Sequence, residues 1–344
     1  MGIVWALLLF SFIVFFHELG HFVFAKKNGI DVEEFAIGMG PAIFSKEYKG
    51  TKYAIRILPL GGFCAMGEDD NESTAPGSFN SKSVWARISV ILAGPVFNFI
   101  LAFILAMILV GIAGYDKPEV GAVDEGYPAA EAGIEAGDII LEMNGKKINL
   151  FREITMYNQL HQGEKTTVVY LQDGEKKEAV LEPMLDEELG YYRFGVQGGS
   201  YKKANFLTLL QYSAYEVKFM ITSTLDSLKM LINGTVGMDQ LSGPVGIVDI
   251  VDETYDQSKQ YGALVVAVQM MNLMLLLTAN LGVMNLLPIP ALDGGRLIFL
   301  FVEAIRGKRI PPEKEGIVHG IGMVLLLGLM AYVLFNDVIR IFFG

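Results

Sequence analysis

Within the run SFIVFFHELGHFVFAKK, His17 and His21 stand four residues apart with Glu18 between them. On an α-helix such residues share a face one turn apart, so both imidazoles can meet one cation while Glu18 sits beside a water bound to it. This is the HExxH arrangement of zinc hydrolases. The pattern has only three fixed positions, and on an exposed helix of a soluble protein it means nothing. Here it interrupts an apolar stretch of membrane-spanning length, where polar groups at depth are expensive unless paired or metal-bound. Two imidazoles and a carboxylate favour Zn2+, and a catalytic site keeps its fourth position for water.

A third ligand must come from elsewhere, and carboxylates near apolar segments are few. The run QMMNLMLLLTANLGVMNLLPIPALDGGRL leads to Asp293, flanked by Pro288, Pro290 and the pair Gly294-Gly295. Prolines so spaced cannot continue a regular helix, and irregular backbone at membrane depth is tolerated where it lines a cavity or packs in protein. An ordinary turn after a helix is the plainer reading of the same residues. Asn280 and Asn285 precede the turn. Their amides can hold an extended peptide or stabilise an oxyanion, or simply bond neighbouring helices. Asn98 reads as a tie between helices, and His319 as isolated in the last apolar segment.

HELGH in a first membrane helix, together with NLLPIPALDGG in a late one, resembles the site-2 protease family of intramembrane zinc metalloproteases. FAIGMGP (35–41), LAGPVFNFILA (92–102) and LSGPVGI (241–247) are similar to further stretches of that family. The resemblance implies that His17, His21 and Asp293 bind Zn2+ and that Glu18 is the general base. It also implies that Asn280, Asn285, Pro288, Pro290, Gly61 and Gly62 lie where substrate is handled. The implied substrate is a single-pass membrane protein, such as a pre-trimmed anti-sigma factor, cut in a bacterial cell membrane.

The elements that must position these residues follow from composition. Of 344 residues, 52% are hydrophobic and the mean hydropathy is +0.41, high for a soluble chain of this length. Four stretches can span a bilayer, at about 2–25, 88–114, 262–287 and 317–336. The first is expected to be a retained helix, since its basic pair Lys26-Lys27 follows the apolar run instead of preceding it. Lys and Arg cluster in 25–87 and 288–316, which predicts that both face the cytoplasm and that 115–261 lies outside. That outer segment carries 24 acidic and 13 basic residues, the whole of the net charge of −11, which argues against nucleic acid as a partner. Cys64 is the one cysteine, so no intrachain disulfide can form.

The expected fold is a polytopic α-helical membrane protein of about four transmembrane helices, with a re-entrant β-hairpin and an inserted extracytoplasmic α+β PDZ-like domain. The hairpin is placed in the loop 49–67, which breaks at Pro59, Gly61 and Gly62; facing a cavity, its edge could pair with an unwound substrate strand. The segment from Pro118 to Met184 reads as strand, short helix, strand, Asn-Gly turn, amphipathic helix and a hairpin about Asp173-Gly174. An amphipathic helix is expected over 201–231. The expected divisions are a membrane core at 1–114, the PDZ-like domain at 115–190, a peripheral helix and linker at 191–261, and a second membrane core at 262–344. Two other classes compete. A non-catalytic zinc-containing PDZ receptor would close its coordination with a fourth protein ligand and would not need Glu18, and a transporter would show repeated halves, which this sequence lacks.

Overall fold

The computed structural model describes residues 2–66, 75–187, 190–238 and 241–343. Among them, four helices are long and apolar enough to cross a membrane: α1 (Gly2–Lys27), α2 (Val84–Ala113), α7 (Ala263–Leu286) and α9 (Pro312–Phe343). They coincide with the four stretches expected from hydropathy. The chain divides into two compact units, one of residues 1–105 with 234–344 and the other of residues 106–233.

In the first unit, α1 is apolar on all sides, so composition does not mark its inner face. The stripe that packs is Ala6, Leu9, Ile13, His17, Gly20, His21 and Ala25, spaced at helical period. Both histidines therefore continue the buried stripe. α1 meets α2 backbone to backbone, since a Cβ on Gly20 would lie 2.3 Å from the carbonyl oxygen of Ala93. Small residues permit such close crossings of membrane helices.

After α1 the chain forms β1 (Val32–Tyr48) and β2 (Thr51–Met66), turning at Lys49-Gly50. The hairpin is thus longer than expected and starts earlier. FAIGMGP belongs to its first strand, and Pro59, Gly61 and Gly62 mark a bend inside the second; Gly67, the last residue of the expected loop, lies outside the described residues. Segment 34–37 pairs with 62–65 on one side and with 52–55 on the other, while 44–47 pairs with the far edge of 52–55. Two long strands folded over make a sheet in the order 62–65, 34–37, 52–55, 44–47. Gly38, Gly40 and Gly61 all have positive φ and lie where the register breaks, a backbone conformation that glycine adopts without strain. Phe15 and Phe22 of α1 pack edge-on or tilted against Phe35, which holds the sheet to the helix.

The expected linker before α7 is instead a helix, α6 (Pro244–Lys259), whose Val251 packs with Ala6, Leu9, Val266 and Met270. Ile247, Val248, Val251 and Tyr255 recur at helical spacing, a signal obscured by the polar run DETYDQSK. Its first turn is capped from another helix: Asp337 of α9, 1% exposed, accepts from the backbone N–H of Gly243 at 3.1 Å and of Gly246 at 2.8 Å. α7 ends at Leu286, and α8 (Asp293–Arg306) follows after a six-residue turn. The buried Arg87 of α2 is ion-paired with Glu303 of α8.

In the second unit the expected order of elements is present. β3 (Val120–Val123), α3 (Pro128–Glu131), β4 (Ile139–Met143), β5 (Lys146–Lys147), α4 (Arg152–Leu160), β6 (Thr166–Gln172) and β7 (Glu175–Leu181) follow in turn. Asn144-Gly145 and Asp173-Gly174 have positive φ at both positions, as two-residue hairpin turns demand. The sheet runs β5-β4-β6-β7 over a core that includes Ile140, Met143, Ile154, Tyr157 and Val168. The domain does not close at residue 190. After β8 (Met184–Asp186) and β9 (Tyr191–Arg193), β10 (Val196–Gly198) pairs with β3, and Tyr115 and Lys202 exchange backbone hydrogen bonds. α5 (Phe206–Ile232) then starts on a capping box of Asn205 and Thr208.

Candidate metal centre

The buried stripe of α1 and the first residue of α8 bring three side chains to one point. His17 Nε2 and His21 Nε2 are 3.2 Å apart, and Asp293 Oδ2 lies 3.2 Å from the first and 3.4 Å from the second. A tetrahedral zinc site with bonds of about 2.0–2.1 Å separates its ligand atoms by about 3.3 Å, so three corners of such a tetrahedron already stand in place. Asp293 Oδ2 is buried, with no N–H aimed at it in hydrogen-bond geometry. Among the described residues no further His, Cys, Asp or Glu joins this cluster. The donor set and its spacing fit Zn2+ with one corner left open.

Both histidines are contacted from behind. His21 Nδ1 donates to the carbonyl oxygen of Val90 at 2.9 Å, which directs the lone pair of Nε2 toward the cluster. His17 Nδ1 faces the side-chain amide of Asn98 at 3.1 Å, on α2. Asn98 is fully buried and its Oδ1 has no hydrogen-bond partner. A metal-binding His17 carries its proton on Nδ1, and a half-turn of the amide presents Oδ1 to accept it. Asn98 is thus a tie between helices, as expected from sequence, and the helix partner it reaches is His17 itself. The signal that could have found it is the pairing of GPVFN with HELGH, which carry the two partners on crossing helices.

Gly94 makes room for the centre, because a Cβ there would lie 2.3 Å from His21 Nε2 and 2.9 Å from His17 Cε1. Gly294 and Gly295 let α8 begin against the end of α7. Their Cβ atoms would come within 2.1 Å of the carbonyl oxygen of Leu287 and 2.4 Å of that of Ile289. The PIPALDGG turn is thus a tight reversal that delivers Asp293 to the histidines.

Glu18 follows His17 by one residue and is turned about 100° from it around the helix. It is partly buried, and Gly62 of β2 lies over it, where a Cβ would sit 3.5 Å from Glu18 Cγ and 3.3 Å from Val14 Cγ1. Segment 62–65 is an outer segment of the folded sheet, so a strand edge runs past Glu18. Gly61, at φ +75, approaches Met39 instead. Asn280 and Asn285 are partly buried on α7, and five residues of helix set them about 140° apart, so they do not share a face. Pro288 is exposed, whereas Pro290 packs against Gly322 of α9.

The chain is 33% identical over 423 residues to the zinc metalloprotease RasP of Bacillus licheniformis, with 98% of each chain covered. It is 32% identical over 421 residues to the regulator of sigma-W protease RasP of Bacillus subtilis, again with 98% of each covered. The crystal structure of the PDZ domain of an SdrC-like protein from Listeria monocytogenes is 24% identical, covers 24% of this chain and 88% of that one, and has a TM-score of 0.22. The profile of peptidase family M50 matches residues 5–329, nearly the whole length, and the chain belongs to that family as an intramembrane zinc metalloprotease of the site-2 type.

Proposed function

We propose that this protein cuts single-pass membrane proteins within or near their transmembrane segment, with His17, His21 and Asp293 as zinc ligands and Glu18 as general base. The observation that carries this reading is the triangle of donor atoms at 3.2–3.4 Å, two of them on α1, a helix apolar enough to lie in a bilayer, and the third at the start of α8. Zinc held by these three residues would lower the pKa of a bound water toward about 7 and polarise a carbonyl oxygen. Glu18 takes the proton of the attacking water and gives it to the leaving amine. Asn98 and the Val90 carbonyl hold both imidazoles in the metal-binding tautomer. A substrate helix must open before its carbonyls are accessible, and the edge of 62–65 offers backbone groups to an extended strand beside Glu18.

The folded sheet is read as a re-entrant element. Met39, Ile43, Phe44, Ile55, Ile57 and Leu58 are each more than half exposed on it, a large apolar patch for a surface facing water. The charge of the loops supports a bacterial cytoplasmic membrane with residues 115–202 outside as a PDZ-like domain and the active site toward the cytoplasm. The name of the Bacillus subtilis relative supports an anti-sigma factor as the substrate class. Asn280, Asn285 and Pro288 are assigned to substrate handling, and Pro290 and Gly61 to shaping the surfaces beside it. We divide the chain at 1–114, 115–202, 203–261 and 262–344.

The test is Glu18→Gln, which keeps size and hydrogen bonding but cannot take a proton. It should retain one zinc per chain and cut a transmembrane model substrate at least about 100-fold more slowly. Turnover equal to the unaltered enzyme would overturn the role of Glu18, and stoichiometric zinc in Asp293→Ala would overturn the three-ligand centre.

A further inference from the structure

We infer that His319 of α9 is a positioning residue that holds the loop carrying Asp293 in its ligand-presenting shape. The inference rests on the reading of Asp293 as a zinc ligand. In that loop Ala291 has φ +78, a backbone conformation that a residue with a Cβ adopts only when its surroundings impose it. The N–H of Ala291 donates to His319 Nδ1 at 2.8 Å, across 28 residues of sequence and from a different helix. Two residues after this strained position stands Asp293.

A second contact, three residues along α9, braces the same loop. A Cβ on Gly322 would lie 2.4 Å from Pro290 Cβ and 2.7 Å from its carbonyl oxygen. Gly316, Gly320 and Gly328 of the same helix face open space, so the close approach is confined to the glycine opposite the loop. α9 is otherwise little packed, with 11% of its apolar window buried, and its contact with Pro290-Ala291 is not a by-product of a broad interface. Behind the loop lies a cavity of about 550 Å³, lined by Ala291, Ile91, Leu300, His319 and Met323 among others. With space on that side, the loop has His319 and Gly322 in place of close packing to keep it from relaxing.

The chemistry is that of an acceptor. His319 accepts through the lone pair of Nδ1, which places its proton on Nε2, and the ring itself packs beside Phe299 of α8, centroids 5.4 Å apart. Remove the acceptor and Ala291 can leave the left-handed region, carrying Asp293 away from the two imidazoles. Groups that orient ligands from outside the coordination sphere typically change metal affinity by about 10–100-fold when lost.

The experiment measures zinc held by the full chain in detergent micelles against a chromogenic chelator, with thermal melting as the check on folding. His319→Ala should hold zinc at least about 10-fold more weakly. His319→Asn, whose amide oxygen can stand where Nδ1 stands, should recover most of that loss, a recovery that ring packing alone does not predict. Gly322→Ala should weaken zinc in the same way, and Gly320→Ala should not. Zinc held by folded His319→Ala as tightly as by the unaltered chain overturns the inference, as does a folded His319→Asn no better than His319→Ala. Should His319→Ala fail to fold, Gly322→Ala decides, and unaltered zinc retention in it overturns the inference. Asp293→Ala is measured alongside: if it keeps stoichiometric zinc, the ligand reading fails rather than the role of His319.

Discussion

Asn98 Nδ2 stands 3.1 Å from His17 Nδ1, so a buried amide on α2 reaches the back of a histidine on α1, 81 residues away in sequence. The contact lies on the side of the imidazole opposite Asp293, where it can set the tautomer without touching metal or substrate.

Replacing Asn98 by Ala should therefore weaken zinc binding by about 10–100-fold while leaving the helix crossing intact. Equilibrium titration against a chelator checks this. Unchanged affinity would return Asn98 to a purely structural tie.

Gly94→Ala puts a methyl where His21 Nε2 now lies 2.3 Å away. Neither backbone can yield easily, because Gly20 already touches Ala93 on the same crossing. The variant should fold, since Ala is the better helix former, yet bind less than one zinc per chain. Metal analysis of the purified variant gives the answer, and full zinc content would show that the ring moves aside at no cost.

In the second unit, Arg152 Nη1 lies 3.2 Å from Glu216 Oε2, and its Nε 3.4 Å from Asp116 Oδ2. Burial pushes the Glu216 carboxyl above its ordinary range, and the Arg152 charge opposes that rise. Without Arg152 the rise grows. A carboxyl raised in the folded state gives stability that is fully present below its unfolded value of about 4.3 and lost as pH rises through the folded value. Arg152→Leu should thus be destabilised most at pH 7.5, by up to about 3 kcal/mol, and less at pH 5. Melting curves at the two pH values check the sign; an equal loss at both would mean that contacts other than the charge pair dominate.

A site that opens helices has little side-chain specificity, so selection must act on access. The domain of residues 115–202 is closed at its ends by the Tyr115 and Lys202 backbone pair, at 2.9 and 3.1 Å, so a short linker can bridge the gap that its removal leaves. A model substrate with a short outer stub should be cut quickly, fusing a folded domain to the stub should suppress cutting, and deleting 115–202 should restore it. If the deletion cuts the stub but not the fusion, the domain is no filter.

How much of this was legible in the residues depended on whether the signal was local. HELGH places two imidazoles on one helical face by period alone, and Asn-Gly and Asp-Gly turns specify their hairpins through φ. Four apolar stretches long enough to span a bilayer became α1, α2, α7 and α9 for the same local reason. Tertiary structure decided the rest. α1 is apolar on every side, so only packing selected the stripe that buries His17 and His21. The doubling back of β1 and β2 into a four-segment sheet depends on register breaks at Gly38, Gly40 and Gly61, and the closure of β10 on β3 joins strands more than 70 residues apart. Asn98 read only as a tie to some other helix, and His319 as an isolated polar residue, because their partners, His17 and the Ala291 N–H, lie on other elements. A buried polar group must find a partner, but sequence spacing identifies that partner only when both lie on the same element, and folding alone brings the others together.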